Sequence, residues 1–200
     1  MARTIAKDHD QKRLSILTLA AEVFANEGIA RASMNQVAKS CGVSKATIYH
    51  YYDSKDALVF DILDTYLSAL SERVLKVSSE GKNPEEHLRQ LLREYLLAYD
   101  GMDNEHKIQT EGLPLLPEEL QRTLKDYQKA MVLQMREILD AVSAQQLGQD
   151  PKLLRETTMS VFGMLNWYYM WHPKANDEDR FGYADMITRF TVAGIPGVLA

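Results

Sequence analysis

Between residues 44 and 55 the chain gathers Ser44, Lys45, Thr47, Tyr49, His50, Tyr51 and Lys55, with Asp53 as the one carboxylate among them. Hydroxyls, phenols and ammonium groups at this density are donors suited to phosphate oxygens and base edges. They do not form the nucleophile, base and orienter set of a catalyst. The rest of the sequence holds no Gly-x-Ser-x-Gly elbow, no His-Glu-x-x-His pair and no phosphate-cradling glycine loop, so no enzyme activity is expected. Cys41 is the single cysteine and cannot close an internal disulfide, and the five histidines are not clustered. No metal site and no cofactor are expected on those grounds.

A chain of 200 residues that is 46% hydrophobic and 26% charged is long and apolar enough to bury a core. Its net charge of −5 argues mildly against nucleic acid, but the charge is unevenly divided. Residues 1–55 carry eight Lys/Arg against five Asp/Glu, and residues 56–200 carry fifteen against twenty-three, giving +3 and −8. The N-terminal segment alone has the sign that DNA attracts. The opening residues Met-Ala-Arg-Thr-Ile-Ala-Lys show no signal-peptide run, and no stretch approaches a membrane span of ~18 apolar residues. The expected location is the cytoplasm, with no membrane partner.

The elements that must hold these donors read as helices throughout. Apolar residues recur at offsets of three and four, and strand-like alternation is absent. Ile16, Leu19, Ala20, Val23 and Phe24 mark one face of a first helix that stops at Gly28. Ser33 with Gln36 has the capping-box pattern of a second helix, which breaks at Cys41-Gly42, and Ser44 caps a third running to about Tyr51. Ser54 caps a long fourth helix carrying Leu63, Tyr66, Leu67, Leu70 and Val74. Asn83-Pro84, Pro117-Glu118 and Asp150-Pro151 open three more, ending near Tyr99, Gly148 and before Pro173. Residues 101–116 read as a short helix in an irregular connection, where His106, Lys107 and Glu111 could border a pocket mouth but better suit a solvated loop. A last helix spans 176–194. The sum is an all-α fold of about nine helices, with a small N-terminal domain of residues 1–53 and a larger helical domain of residues 54–200.

Residues 33–52 thus form two short helices around a three-residue turn, with Val37, Ala38, Val43 and Ile48 placed to pack them together. This is a helix-turn-helix, whose second helix enters a DNA groove ~12 Å wide with its N-terminal residues leading. The run Gly42-Val43-Ser44-Lys45-Ala46-Thr47-Ile48-Tyr49-His50-Tyr51-Tyr52-Asp53-Ser54-Lys55-Asp56-Ala57-Leu58 resembles the TetR family of bacterial regulators over seventeen consecutive positions. The likeness extends back through Ser33 to the Ala20-to-Phe24 pattern and covers roughly the first sixty residues. It implies that Lys45, Ala46 and Thr47 lie near bases and that Tyr49, His50, Tyr51 and Lys55 lie near phosphates, with Ser33 and Ser44 beside them. The family often places an aromatic before the histidine. Here His50 comes first, which leaves open whether His50 or Tyr51 meets phosphate. For Tyr49 and Tyr52, rings in the core with one hydroxyl exposed is an equal reading.

In the C-terminal half, Met164-Leu165-Asn166-Trp167-Tyr168-Tyr169-Met170-Trp171 puts large side chains on every side of one helix, which must then be buried all round. Its own core, a partner subunit or an apolar ligand would cover it. The TetR resemblance implies dimerisation through residues 151–172 and 177–193, with Phe162, Tyr169 and Phe190 as interface candidates. Leu92, Tyr95, Tyr127, Met131, Met164, Trp167 and Trp171 are the candidates for lining a ligand cavity. Asn166 to Trp171 also resembles regulators of fatty-acid and aromatic-acid catabolism, some of which respond to acyl-CoA thioesters.

The expectation is a homodimeric repressor on a palindromic double-stranded DNA operator, released by a small, largely apolar effector. The alternative is a DNA-binding TetR-like protein without a ligand.

Overall fold

The computed structural model describes residues 2–200, with side chains from residue 9 onward. Its described residues form ten α-helices and two 3-10 turns and no strand. The helices are α1 (Ala2–Glu27), α2 (Met34–Ser40), α3 (Lys45–Tyr51), α4 (Lys55–Leu75), α5 (Pro84–Ala98), α6 (Asp103–Gly112), α7 (Glu118–Val142), α8 (Pro151–Asn166), α9 (Tyr168–Trp171) and α10 (Asp177–Leu199). Packing divides the chain into two compact units, Met1–Leu67 with Met102–Lys125, and Ser68–Gly101 with Asp126–Ala200. Helices α4 and α7 each contribute to both.

In the first unit α1 packs on α2 and α6, and α2 packs on α3. The buried face of α1 is Ile16, Leu17, Ala20, Ala21, Phe24 and Ala25. Gly28 ends the helix at φ +80°, a left-handed cap open to a residue without Cβ. The segment 103–115 is more ordered than a solvated loop, because α6 lies against α1. A Cβ on Gly112 would sit 2.2 Å from Cδ1 of Ile29, so glycine lets the helix approach this closely without displacing the Ile29 side chain. The Lys107 ammonium donates to the Ala25 carbonyl at 2.6 Å, satisfying a free acceptor at the end of α1. His106 is buried, with Nδ1 at 2.9 Å from the Tyr66 hydroxyl.

In the second unit α5 packs chiefly along α10, and both touch α8. Leu88, Leu91, Leu92, Tyr95 and Leu96 form the buried stripe of α5, facing Ala184, Ile187, Thr188 and Ile195 of α10 in the same interior. The Arg180 guanidinium donates to the Leu96 carbonyl at 3.0 Å and to Asp100 Oδ1 at 2.5 Å, which anchors the end of α5 to the start of α10. Reciprocal capping boxes at Asn83/Glu86 and Asn176/Asp179 start those two helices.

Three boundaries differ from the sequence reading. Helix α7 ends at Val142, because Ala144 and Gln145 turn left-handed and the Asp140 carboxylate captures the Gly148 N–H at 2.7 Å. The expected helix 151–172 breaks at Trp167 into α8 and the four-residue α9, which accounts for the tenth helix. Helix α10 continues past Gly194 and carries Pro196 in its last turn, where the missing N–H removes one helical hydrogen bond close to the helix end.

Candidate functional site

The recognition unit is built from local caps. The Ser33 hydroxyl accepts from the Gln36 N–H at 3.3 Å while the Gln36 side chain accepts from the Ser33 N–H at 2.8 Å. Gly42 turns the chain at φ +64°, and the Val43 N–H donates back to the Ala38 carbonyl at 3.0 Å. The Ser44 hydroxyl then accepts from the Thr47 N–H at 3.1 Å and lies 2.8 Å from the Thr47 hydroxyl. Val37, Ala38 and Ile48 are buried beneath the turn. Ser33, Ser44, Lys45, Ala46 and His50 are left exposed, with Thr47 and Tyr51 half-buried and Tyr49 42% exposed. The Lys45 ammonium sits 5.5 Å from the centre of the Tyr49 ring, a cation–π contact that orients both side chains. Tyr51 stacks on His9 of α1 at 4.8 Å, and His50 meets its ring edge-on at 5.7 Å.

Behind this surface lies an ionic clamp spanning three elements. Arg13 of α1 forms a forked ion pair with Asp61 of α4, one arm of which is the Nε donation at 2.9 Å. The Tyr52 hydroxyl, at the end of α3, donates to Asp61 Oδ2 at 2.6 Å. Burial and the neighbouring Asp61 carboxylate both push the Tyr52 phenol above its ordinary range, so it stays a donor. Lys55 opens α4, and its ammonium donates to the carbonyls of Ile29 at 2.7 Å and Ala32 at 3.2 Å. The charge therefore ties down the loop between α1 and α2.

The second unit contains an aromatic interior. Tyr95 is fully buried, meets Phe162 edge-on at 5.6 Å and lies 6.1 Å from Tyr99, whose hydroxyl donates to Asn166 Oδ1 at 2.9 Å. Among the described residues the Tyr95 hydroxyl itself has no hydrogen-bond partner. An unpaired buried hydroxyl costs about 1–3 kcal/mol, so an occupant supplying an acceptor would relieve it.

The family model described as Bacterial regulatory proteins, tetR family, matches residues 16–62, and that described as Tetracyclin repressor-like, C-terminal domain, matches residues 81–195. The chain belongs to the TetR family. Its residues 16–62 carry the helix-turn-helix segment matched by that family of bacterial regulatory proteins. A TetR-family regulator from Bordetella parapertussis 12822 superposes with a TM-score of 0.83 at 28% identity, covering 90% of this chain and 93% of that one. The structure of AibR in complex with isovaleryl coenzyme A and operator DNA gives 0.74 at 27% identity, covering 90% and 97%. The helix-turn-helix regulator YuxN of Bacillus subtilis is 32% identical over 82 residues, 41% of this chain and 28% of that protein. The chain thus spans about a quarter of YuxN's length, in contrast to its near-complete overlap with the solved structures.

In this TetR-family regulator the DNA-facing candidates Ser33, Ser44, Lys45, Ala46, Thr47, Tyr49, His50 and Tyr51 cluster on α2, α3 and their caps. Lys55 stands apart, with its ammonium engaged by backbone. Tyr52 belongs to the core and Tyr49 to the surface. The ligand candidates separate further: Leu92, Tyr95 and Met131 are interior, and Tyr127 is half-buried. Met164 lines a groove on the face of α8 and α10, while Trp167 and Trp171 are 62% and 57% exposed. The helix expected to be buried all round is therefore open on one side of this chain. Among the interface candidates Phe162 is buried, Tyr169 half-buried and Phe190 65% exposed. Sequence reasoning missed Arg13 and Asp61, because the pair is 48 residues apart and no local pattern links them. Among the described residues no group of three or more His, Cys, Asp and Glu is gathered as metal ligands would be, and no helix is long and apolar enough to cross a membrane.

These positions separate two kinds of DNA defect. Lys45→Ala is expected to alter base preference, at about 1–3 kcal/mol for the base pair it reads. Lys55→Ala is expected to weaken operator and random DNA alike and to lower the melting temperature, because the Ile29 and Ala32 carbonyls lose their donor. Fluorescence anisotropy on both DNAs, with thermal melts, checks this. Equal losses on both DNAs for both variants would contradict the assignment.

Proposed function

We propose that this regulator is a cytoplasmic homodimeric repressor that binds a near-palindromic operator and leaves it when a small, largely apolar ligand occupies its C-terminal half. Residues 1–53 would carry DNA binding, and 54–200 ligand binding and dimerisation. The observation that carries the ligand reading is the buried, unpartnered hydroxyl of Tyr95 among apolar and aromatic side chains. A carbonyl or thioester oxygen would accept from it, and buried apolar residues such as Leu92 and Met131 are the candidates to take an acyl or similar chain. An acyl-CoA is the first candidate, since AibR is described in complex with isovaleryl coenzyme A and operator DNA.

Dimerisation is supported by an apolar face that this chain leaves open. A groove of about 300 Å³ runs between α8 and α10, lined by Val161, Met164, Phe190, Ile195 and Val198 among others. Mid-helix glycine costs ~0.5–1 kcal/mol against alanine. A Cβ at Gly163 or Gly194 would meet nothing within 4 Å, so nothing in this chain's own packing calls for glycine at either position. Close approach by the same helices of a second copy supplies a reason.

Coupling would run through α4, which spans ~32 Å at 1.5 Å per residue and contributes to both compact units. Two recognition helices must match fixed groove spacing, so a small tilt of each α4 displaces both. A coupling of about 1–3 kcal/mol would weaken operator binding 5- to 150-fold, and bound operator would weaken the ligand by the same factor.

The test is calorimetry with isovaleryl-CoA and longer acyl-CoAs, on the protein alone and on its complex with an operator selected from random DNA. Tyr95→Phe is expected to weaken the ligand about tenfold or more while leaving operator affinity unchanged, and to melt no lower than the unmodified protein, because the orphan hydroxyl is gone. Equal ligand affinity with and without operator would rule out the coupling. Tight operator binding with no ligand response would favour the ligand-free alternative.

A further inference from the structure

The α5–α10 face carries a second feature unrelated to apolar binding. Arg89 and Arg93 stand one turn apart on α5, Asp185 and Arg189 one turn apart on α10, and these four residues line a concavity of about 540 Å³. Two of the three guanidinium groups share the Asp185 carboxylate. Asp185 accepts from Arg93 Nη2 at 2.8 and 3.0 Å and from its Nε at 3.2 Å, while Arg89 Nε stands 3.7 Å away. Arg89 also pairs with Glu85 at 2.7 Å, and Arg93 lies 5.2 Å from the centre of the Phe181 ring. Arg189 donates to the Asp185 backbone carbonyl at 3.3 Å, and among the described residues it enters no ion pair.

The lining carries a net charge of +2, or +1 if Glu85 is included, in a segment 56–200 whose overall charge is −8. The three guanidinium groups repel one another, and Asp185 with Glu85 offsets only part of that repulsion, so the concavity keeps a net positive field that an anion would neutralise. The planar forks match phosphate oxygens bidentately, and the volume exceeds what a lone carboxylate would fill. We infer that the Arg89–Arg93–Arg189 concavity binds a phosphate-bearing small molecule. The phosphate can be the polar tail of the effector proposed above or belong to a separate phosphorylated metabolite. The inference does not depend on which, because anion binding is read directly.

The experiment is calorimetry of the full-length protein with inorganic pyrophosphate, 3′,5′-ADP and isovaleryl-CoA, comparing the unmodified chain with Arg189→Ala and with Lys125→Ala as a control for loss of an exposed cation elsewhere. Arg189→Ala is chosen because Arg189 is exposed and holds no ion pair, so the fold and the Arg93–Asp185 pair stay intact. Pyrophosphate should bind at millimolar concentration or better, and Arg189→Ala should weaken it about ten- to a hundredfold with Lys125→Ala unchanged. An equal loss for isovaleryl-CoA would identify the effector's own tail. Loss for pyrophosphate and 3′,5′-ADP alone would identify a separate metabolite. No binding of any of the three probes, or identical affinities in Arg189→Ala and the unmodified chain, would overturn the inference. So would a fall in dimer mass in Arg189→Glu without any anion binding, since the arginines would then face a partner's carboxylates.

Discussion

Asp61→Ala is expected to destabilise the protein by about 2–4 kcal/mol and to abolish tight operator binding. One carboxylate receives the forked Arg13 guanidinium and the Tyr52 hydroxyl, so it joins α1, the end of α3 and α4 at a single point. Removing it leaves a largely covered cation and a buried phenol unpaired, and charged hydrogen bonds are each worth about 1.5–3 kcal/mol. The figure stays below that for a fully buried pair because Arg13 and Asp61 keep 36% and 19% of their side-chain surface. For a chain of this size the loss corresponds to a melting temperature lower by ~5–15 °C. Tyr52→Phe, which removes one donor, should cost about 1 kcal/mol. Glu72→Ala breaks an exposed pair with Lys76 and should melt like the unmodified protein. Thermal or urea denaturation decides the matter: an Asp61→Ala variant as stable as Glu72→Ala would remove the clamp from the account of how α3 is held.

The second large effect concerns assembly. Phe190→Glu is expected to convert a dimer to monomers at micromolar concentration and to lower operator affinity by about a hundredfold or more, because linked half-sites gain ~10²–10⁴ in avidity. The monomer should keep its helix content, since Phe190 is 65% exposed on its own chain and its removal opens no core. Phe162→Glu makes the contrast. That ring is buried against Tyr95, so a charge there should unfold the second unit rather than split a dimer. Sedimentation, circular dichroism and operator titration together distinguish the outcomes. A Phe190→Glu protein that remains dimeric would move the interface away from the α8–α10 face.

Both variants turn on residues whose roles were unequally legible. The starts of α2, α3, α5, α8 and α10 were readable from Ser33, Ser44, Asn83, Asp150 and Asn176, because a cap satisfies N–H groups two or three residues away. The same locality makes Gly28 and Gly42 plain as stops. The exposed donors on α3 could be named in advance because a seven-residue helix with Ile48 buried has one side left for solvent.

Long-range partners had no such trace. Lys55 looks like a free cation at a helix start, and only the fold brings the carbonyls of residues 29 and 32 to its ammonium. Residues 103–112 look like a polar connection with low amphipathic character, yet α6 packs on α1 because Gly112 admits Ile29 and Lys107 reaches the Ala25 carbonyl. The break at Trp167 was invisible to periodicity, since a run of large residues fits a continuous helix as well as two short ones.

What the sequence by itself determined is therefore the all-α character, the positions of the caps and turns and the solvent-exposed side of α3, each of which rests on interactions closed within one or two helical turns. The tertiary structure alone decided that Asp61 clamps three elements, that Tyr95 is buried without a partner while Trp167 and Trp171 face outward, and that Arg89 and Arg93 meet Arg189 across α5 and α10. Those facts depend on which helices meet and at what register, and the energy selecting that register is spread over apolar contacts that many sequences could satisfy in other pairings.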